Sequence, residues 1–331
     1  MQVYKIHSDF YFVKDEKGNE FTCKIREILK KQKIDIVVGD YVELNDERDS
    51  IVSVLKRKNF LLRPKSSNID LAVIVASIKE PELDLIQLNR YLAYLKYYNI
   101  NAVICFNKED LIKTEFSADL IYKKLGYKTF IISAKENIGL DKIKKEIKAK
   151  TVVLVGMSGV GKTTLLNTLT KKDERTNEVS SKTQKGRHTT RHCEITDYND
   201  FKIMDTPGFS NLKFDFLLPN ELIDLFDDLK EYKGCCKYSN CLHNNLDNKD
   251  CSIVKNIDKI HPSRYESYIV FLNETLEYKE RISKKSIKKE DNLKNSGNKT
   301  VAKISKKKRE ESRKSVKQNV QNMGGTRNGT L

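Results

Sequence analysis

No run of eighteen consecutive apolar residues occurs in this 331-residue chain, so no membrane-spanning helix is expected. The opening residues, Met1-Gln2-Val3-Tyr4-Lys5-Ile6, lack the basic start and long apolar stretch of a secretory signal. A cytoplasmic location with no membrane partner follows, and in that compartment the seven cysteines are not expected to form disulfides. Internal repeats are also missing. Residues 281–331 contain no Phe, Tyr or Trp and few large aliphatics, so that stretch cannot build a core.

What that tail does have is positive charge. It carries 16 Lys and Arg against 4 Asp and Glu, a net of +12. The whole chain has a net of +16, so basicity is mostly a property of the tail. Residues 283–331 are therefore read as a disordered cationic arm that attracts phosphate backbones; the plainer alternative is a solubilising tail with no partner.

Ahead of the tail the pattern changes three times. Residues 1–64 read as short strands: Val3 to Val13, Glu20 to Ile25, Val37 to Leu44 and Ser50 to Leu55, with a turn at Asp15 to Asn19. An oligonucleotide-binding (OB) barrel fits this length, while an SH3-like barrel or a plain sheet would read the same. Residues 65–218 alternate strand and helix, starting with the continuous apolar run Ile69 to Ala76, which suits a strand buried on both faces. This alternation predicts an α/β doubly wound sheet. From 219 to 282 a short helix at Glu221 to Leu229, a Cys/His-rich loop and a helix opening at Pro262 are expected.

The central region holds the motifs of a guanine-nucleotide site in rotated order. Asn107-Lys108-Glu109-Asp110 reads N-K-x-D and Ser133-Ala134-Lys135 reads S-A-K. Only afterwards comes Gly156-Met157-Ser158-Gly159-Val160-Gly161-Lys162-Thr163, a phosphate loop with Thr164 next in line, and then Asp205-Thr206-Pro207-Gly208, a D-x-x-G. The glycines let backbone N–H groups surround a β-phosphate, and the following helix N-terminus favours the negative charge. Lys162 is suited to the β- and γ-phosphates, Thr163 and Asp205 to Mg²⁺ bound with GTP, and Gly208 to the γ-phosphate. Asp110 can accept from guanine N1–H and N2–H₂, a donor pair adenine does not offer. Asn107 is expected to tie the base loop to the phosphate loop, Lys108 to lie along the ring, and the Ala134 N–H to face O6. The order indicates a circularly permuted GTPase.

Between phosphate loop and D-x-x-G lies Lys185-Gly186-Arg187-His188-Thr189-Thr190, read as a switch loop in which Thr189 or Thr190 ligates Mg²⁺. Phe209 follows the D-x-x-G, where a water-orienting glutamine often stands. Phenylalanine cannot orient water, so His188 is the candidate catalytic residue, against the reading of a structural loop histidine. Cys236, Cys241, His243 and Cys251 supply three thiolates and an imidazole within sixteen residues, a complete Zn²⁺ ligand set, with Cys235 as a spare for Cys236.

Taken in order, these motifs resemble the ribosome small-subunit-dependent GTPase A family (RsgA, also called YjeQ). Gly39-Asp40-Tyr41-Val42, Asn68-Ile69-Asp70, Gly186 to Thr190 and Asp205 to Phe209 carry the likeness with the N-K-x-D, S-A-K, phosphate loop and Cys/His cluster. The resemblance implies an N-terminal OB domain, a central permuted GTPase and a C-terminal α-helical zinc domain. It implies a monomer that binds the small ribosomal subunit and its rRNA, and hydrolyses GTP to GDP late in maturation of that subunit, with His188 matching the family's histidine. Two features depart from the family: a seven-residue His243 to Cys251 interval and the long lysine-rich tail.

Overall fold

The computed structural model describes residues 1–170, 193–198, 200–205 and 212–284, together with the backbone of 285–290, 293–296 and 299–302. Five strands form the N-terminal unit: β1 (Gln2–His7), β2 (Phe10–Lys14), β3 (Glu20–Ile25), β4 (Val42–Leu44) and β5 (Ser50–Val54). They run in the order β1-β2-β3-β5-β4, with β3 and β5 parallel. Met1 and Val42 exchange backbone hydrogen bonds, closing the sheet on itself. A short helix α1 (Glu27–Lys31) fills the gap between β3 and β4. That closed five-stranded order with an intervening helix is the OB barrel, and its core is Val3, Val13, Cys23, Leu29, Val42 and Ile51.

Two details differ from the strand pattern read in the sequence. Val3 to Val13 is a hairpin rather than one strand, because Ser8 turns the chain with φ of 53°. The expected strand from Val37 is continuous only from Val42, with isolated bridges at Val38 and Tyr41, because Gly39 turns at φ of 98° and lies so close to the backbone of Ser67 that a Cβ would come within 2.0 Å of its carbonyl oxygen.

After the hairpin β6 (Phe60–Leu62) and β7 (Lys65–Ser67) comes a second sheet region. It comprises β8 (Leu71–Ser77), β9 (Ala102–Asn107), β10 (Lys128–Ile131), β11 (Thr151–Val155), β12 (Glu194–Tyr198) and β13 (Phe201–Asp205), ordered β10-β9-β8-β11-β13-β12. All are parallel except β12. Helices α2 (Leu85–Tyr97), α3 (Asp119–Lys124), α4 (Leu140–Ile147) and α5 (Lys162–Thr170) connect them. Strand β8 explains why its sequence is apolar without alternation. Ala72 and Ile74 face the core on the α2 side, whereas Leu71, Val73 and Val75 face the one beneath α4 and α5.

Strand β1 pairs with β12, so barrel and α/β sheet form one continuous surface. Lys5–Glu194 and Lys14–Asp197 ion pairs flank that seam. At the other contact, Asp40 is fully buried yet satisfied. It accepts from Arg57 Nε and Nη2 at 2.7 and 2.8 Å, from Ser67 Oγ at 2.6 Å and from the Val37 N–H at 2.9 Å. Asn68 completes the junction by donating to Gly39 O at 2.8 Å.

The C-terminal region is helical around its loop: α6 (Asp227–Lys230), α7 (Ser252–Lys255) and α8 (Pro262–Glu290). The helix expected over Glu221 to Leu229 is split, with a 3-10 turn at Leu222–Leu225 preceding α6. Helix α8 packs along α2 through a buried polar network. Asn89 donates to Ser267 Oγ at 2.9 Å and accepts from Arg264 at 2.9 Å, and Arg264 is paired with Asp228. In the tail, β14 (Leu293–Ser296) and β15 (Lys299–Ala302) form an antiparallel backbone hairpin that the composition did not predict. Among the described residues no helix is long and apolar enough to cross a membrane.

Candidate functional site

The C-terminal ends of β8, β9, β11 and β13 converge at Ser77, Asn107, Val155 and Asp205, with Ser133 just past β10, the edge where ligands bind in open parallel sheets. The phosphate loop follows β11 directly and opens α5 at Lys162. Gly161 has φ of 96°, and a Cβ there would sit 2.3 Å from Asn107 Nδ2, so only glycine allows the loop to close onto β9.

Asn107 holds the site together. Its Nδ2 donates to Val160 O at 2.8 Å, and its Oδ1 accepts from the Ala134 N–H at 2.9 Å. It is 2% exposed, so both bonds are made away from water. Three motifs distant in sequence are thus joined through one side chain. The Ala134 N–H, read from sequence as facing a base, is committed to Asn107. Thr168 Oγ1 on α5 donates to Ala134 O at 3.0 Å, a contact the motif reading did not contain.

Lys108 adopts a left-handed conformation and its ammonium donates to Glu80 O. Asp110 is exposed, and its Oδ1 accepts from Ser133 Oγ at 2.5 Å. Ser133 in turn accepts from the Glu136 N–H at 3.1 Å, fixing the rotamer that aims the carboxylate. Lys135 is exposed beside Glu136. Across the cleft Lys162 Nζ donates to Gly156 O and Met157 O at 2.8 and 2.6 Å. Burial lowers its pKa from the ordinary lysine value by stripping water from the ammonium. An anion bound in the loop would oppose that shift. Ser158, Gly159, Thr163 and Thr164 are exposed on the loop and the first turn of α5. Asp205 ends β13, exposed and paired in register with Glu194. His188, Thr189, Thr190 and Gly208 lie outside the described residues.

A second constellation lies under α8. The ligand atoms of Cys236, Cys241, His243 and Cys251 all fall within 4.8 Å of one another. His243 Nδ1 is 3.4 Å from Cys236 Sγ, 3.7 Å from Cys241 Sγ and 3.4 Å from Cys251 Sγ, and the Cys236 and Cys251 sulfurs are 3.9 Å apart. A tetrahedral zinc ion with Zn–S of about 2.3 Å and Zn–N of about 2.0 Å requires sulfur–sulfur edges of about 3.8 Å and sulfur–nitrogen edges of about 3.5 Å. The donors match that shape. Cys235 is exposed, with its sulfur toward Glu231 O and Lys233 O, outside the cluster.

The surroundings hold the donors in place. Burial alone would raise the Cys236 thiol, but its hydrogen bonds with Ser252, whose N–H donates to the sulfur, bring it below its ordinary value. Burial pushes Cys241 up to about 11. Burial also lowers the His243 pKa, favouring the neutral, metal-binding imidazole. Tyr265 and Tyr268 on α8 donate to the carbonyls of His243 and Leu242 at 2.8 and 3.0 Å, so the long helix grips the loop from behind.

A phosphate loop that follows the N-K-x-D and S-A-K loops along the chain, on an α/β sheet entered at β8, behind an OB barrel and ahead of a Cys₃His module, defines a circularly permuted P-loop GTPase. Comparison with known proteins agrees. The RsgA N-terminal domain profile matches residues 2–52 and the RsgA GTPase profile matches 54–215. A profile described as 50S ribosome-binding GTPase matches 151–280, starting at the strand that carries the phosphate loop. The small ribosomal subunit biogenesis GTPase RsgA of Alkaliphilus metalliredigens is 38% identical over 274 residues, covering 80% of this chain and 94% of that protein. Its namesake from Bacillus velezensis is 37% identical over 293 residues, covering 85% and 98%. Among solved structures, YjeQ from Thermotoga maritima superposes with a TM-score of 0.67 at 29% identity, over 83% of this chain and 97% of that one. YloQ, described as a circularly permuted GTPase, gives 0.67 at 30%, over 85% and 94%. The chain belongs to the RsgA GTPase family and is a GTP hydrolase.

Proposed function

We propose that this protein is a GTPase stimulated by the small ribosomal subunit, acting late in that subunit's maturation through rRNA binding. The relatives named for small-subunit biogenesis support the role, since the chain spans nearly their whole length. The observation that carries the nucleotide part is the Asn107 clamp, which joins phosphate loop, N-K-x-D and S-A-K into one pocket wall.

The residues divide the work as follows. The loop from Gly156 to Gly161 wraps the β-phosphate, Lys162 binds the β- and γ-phosphates, and Thr163, Thr164 and Gly208 contact the phosphate chain. Thr163, Asp205 and Thr189 or Thr190 hold the Mg²⁺ that accompanies GTP; the ion would neutralise phosphate charge. Asp110, steered by Ser133, accepts from the guanine edge, with Lys108, Ala134 and Lys135 enclosing the base. His188 positions or deprotonates the attacking water, the role Phe209 cannot take. Cys236, Cys241, His243 and Cys251 hold a structural Zn²⁺. Residues 1–64 serve as the RNA-binding OB domain, 65–218 as the GTPase, 219–282 as the zinc domain and 283–331 as a basic arm. The protein works as a cytoplasmic monomer.

Phe209 also favours a second reading, a GTP-binding scaffold that recruits partners and barely hydrolyses. Cosedimentation separates subunit choice from hydrolysis. The protein with a non-hydrolysable GTP analogue should pellet with small subunits and not with large ones, and should release with GDP. Equal pelleting with both subunits would remove the small-subunit assignment.

A further inference from the structure

Arg90 on α2 and Glu274 on α8 face one another across the seam between these helices. Arg90 is 8% exposed. Its Nη1 donates to Glu274 Oε2 at 2.8 Å, lies 2.8 Å from Oε1, and also donates to Leu212 O at 3.1 Å. Glu274 Oε2 accepts a further bond from the Phe214 N–H at 2.9 Å. The guanidinium stacks 4.3 Å from the centre of the Phe271 ring and 5.9 Å from that of Phe214. The pair therefore holds a carbonyl and an N–H of the backbone that emerges from the D-x-x-G, as well as joining two helices.

A buried charge pair is a poor adhesive for two helices, since apolar residues of similar size hold them as well or better. An apolar pair, however, cannot bind two backbone groups in a stretch without regular structure. Leu212 stands four residues after Gly208. On the other side, Asp205 is fixed in the β13 ladder opposite Glu194. Both described ends of the γ-phosphate-sensing segment are thus anchored, one to the sheet and one to α2. Helix α2 is itself referenced to the phosphate loop: Pro81, just ahead of it, would lie 3.7 Å from a Cβ at Gly159. Since Glu274 belongs to α8, the helix that grips the Cys/His loop, the same anchor registers the position of the C-terminal domain.

We infer that Arg90 and Glu274 are positioning residues for GTP hydrolysis. They set where the backbone after Gly208 is held against α2, and so link the placement of α8 to the γ-phosphate site. They would act through that backbone, not by contact with the nucleotide.

The inference rests on the GTP-hydrolase reading, so wild-type turnover is measured alongside each variant. Steady-state GTP hydrolysis over a range of GTP concentrations is compared for Glu274→Gln, Arg90→Lys and the apolar double variant Arg90→Met with Glu274→Leu. Zinc content and thermal midpoint report folding. The expected result is a kcat roughly 10- to 100-fold lower in Glu274→Gln and in the double variant, the cost typical of an ångström-scale misplacement. KM for GTP and the affinity for a fluorescent GDP should stay within about twofold, because those report binding common to ground and transition states. Arg90→Lys, which keeps a charged donor, should recover part of kcat. A double variant that is folded, loaded with zinc and turns over at the wild-type rate overturns the inference. So does a loss that falls on KM and GDP affinity instead of kcat. Absence of turnover in the wild type would instead overturn the hydrolase reading beneath it.

Discussion

In the proposed site a single carboxylate, Asp110, decides which base is read. Asp110 offers only acceptors to a base edge that offers only donors. Asp110→Asn replaces one acceptor with a donor, which suits xanthine, whose C2 oxygen accepts. GTP affinity should fall by a few kcal/mol, on the order of 100-fold or more, and xanthosine triphosphate affinity should rise, both measurable by nucleotide competition. Gly161→Ala tests the junction from the other side. Its Cβ would strike Asn107 Nδ2 at 2.3 Å in a backbone conformation alanine avoids, so nucleotide binding should be lost while the separate barrel core stays folded. These residues were legible in the sequence because each motif needs fixed atoms at fixed spacing. The Asn107 bond to the phosphate loop was also foreseen, whereas its bond to the Ala134 N–H was not, because a backbone donor's partner depends on the approach of loops 27 residues apart.

Among the elements, the Cys/His loop is the one proposed to depend on a bound zinc ion. Zinc–ligand sets in small domains contribute ~10–16 kcal/mol of folding free energy at neutral pH. Cys251→Ser or prolonged chelation should release about one zinc per chain and free the loop from α8, seen as new protease cleavage between residues 231 and 260. Acid should act in the same direction. Burial holds the folded His243 pKa below its ordinary 6.5, so its contribution is present above that pH and is lost as pH falls below it. A chain whose loop became more protease-resistant on acidification would contradict this. Strand identity was readable where burial on both faces left no alternation, as in β8. It was misread where one residue turned the chain, as at Ser8 and Gly39, since a left-handed φ leaves little trace in a hydrophobic pattern. Asp40 and Arg57 mark the barrel's junction, and Arg57→Ala would strand a fully buried carboxylate, costing ~3–5 kcal/mol in denaturant unfolding.

At the scale of the whole molecule, the chain joins three units through polar seams: β1 with β12, Asp40 with Arg57 and Ser67, and α2 with α8. Only the Asp40 seam falls on stretches singled out in the sequence, Gly39 to Val42 and Asn68 to Asp70; the β1–β12 and α2–α8 seams had no motif. The α2–α8 seam leaves one local mark, polar residues inside an apolar helical stripe, Asn89 and Arg90 between Leu88 and Tyr91. The charge of the tail was visible, and it predicts a salt-sensitive contribution. Truncation after Lys284 should weaken RNA binding and flatten its dependence on salt while leaving basal GTP hydrolysis unchanged. The proposed role of the protein requires regulated turnover. The direct test is GTP hydrolysis by the purified protein alone, with small subunits and with large subunits, beside His188→Ala. A slow basal rate, strong stimulation by the small subunit only, and loss of stimulation in His188→Ala are predicted. Tight GTP binding with no stimulation by the small subunit would contradict the account and leave a nucleotide-binding scaffold.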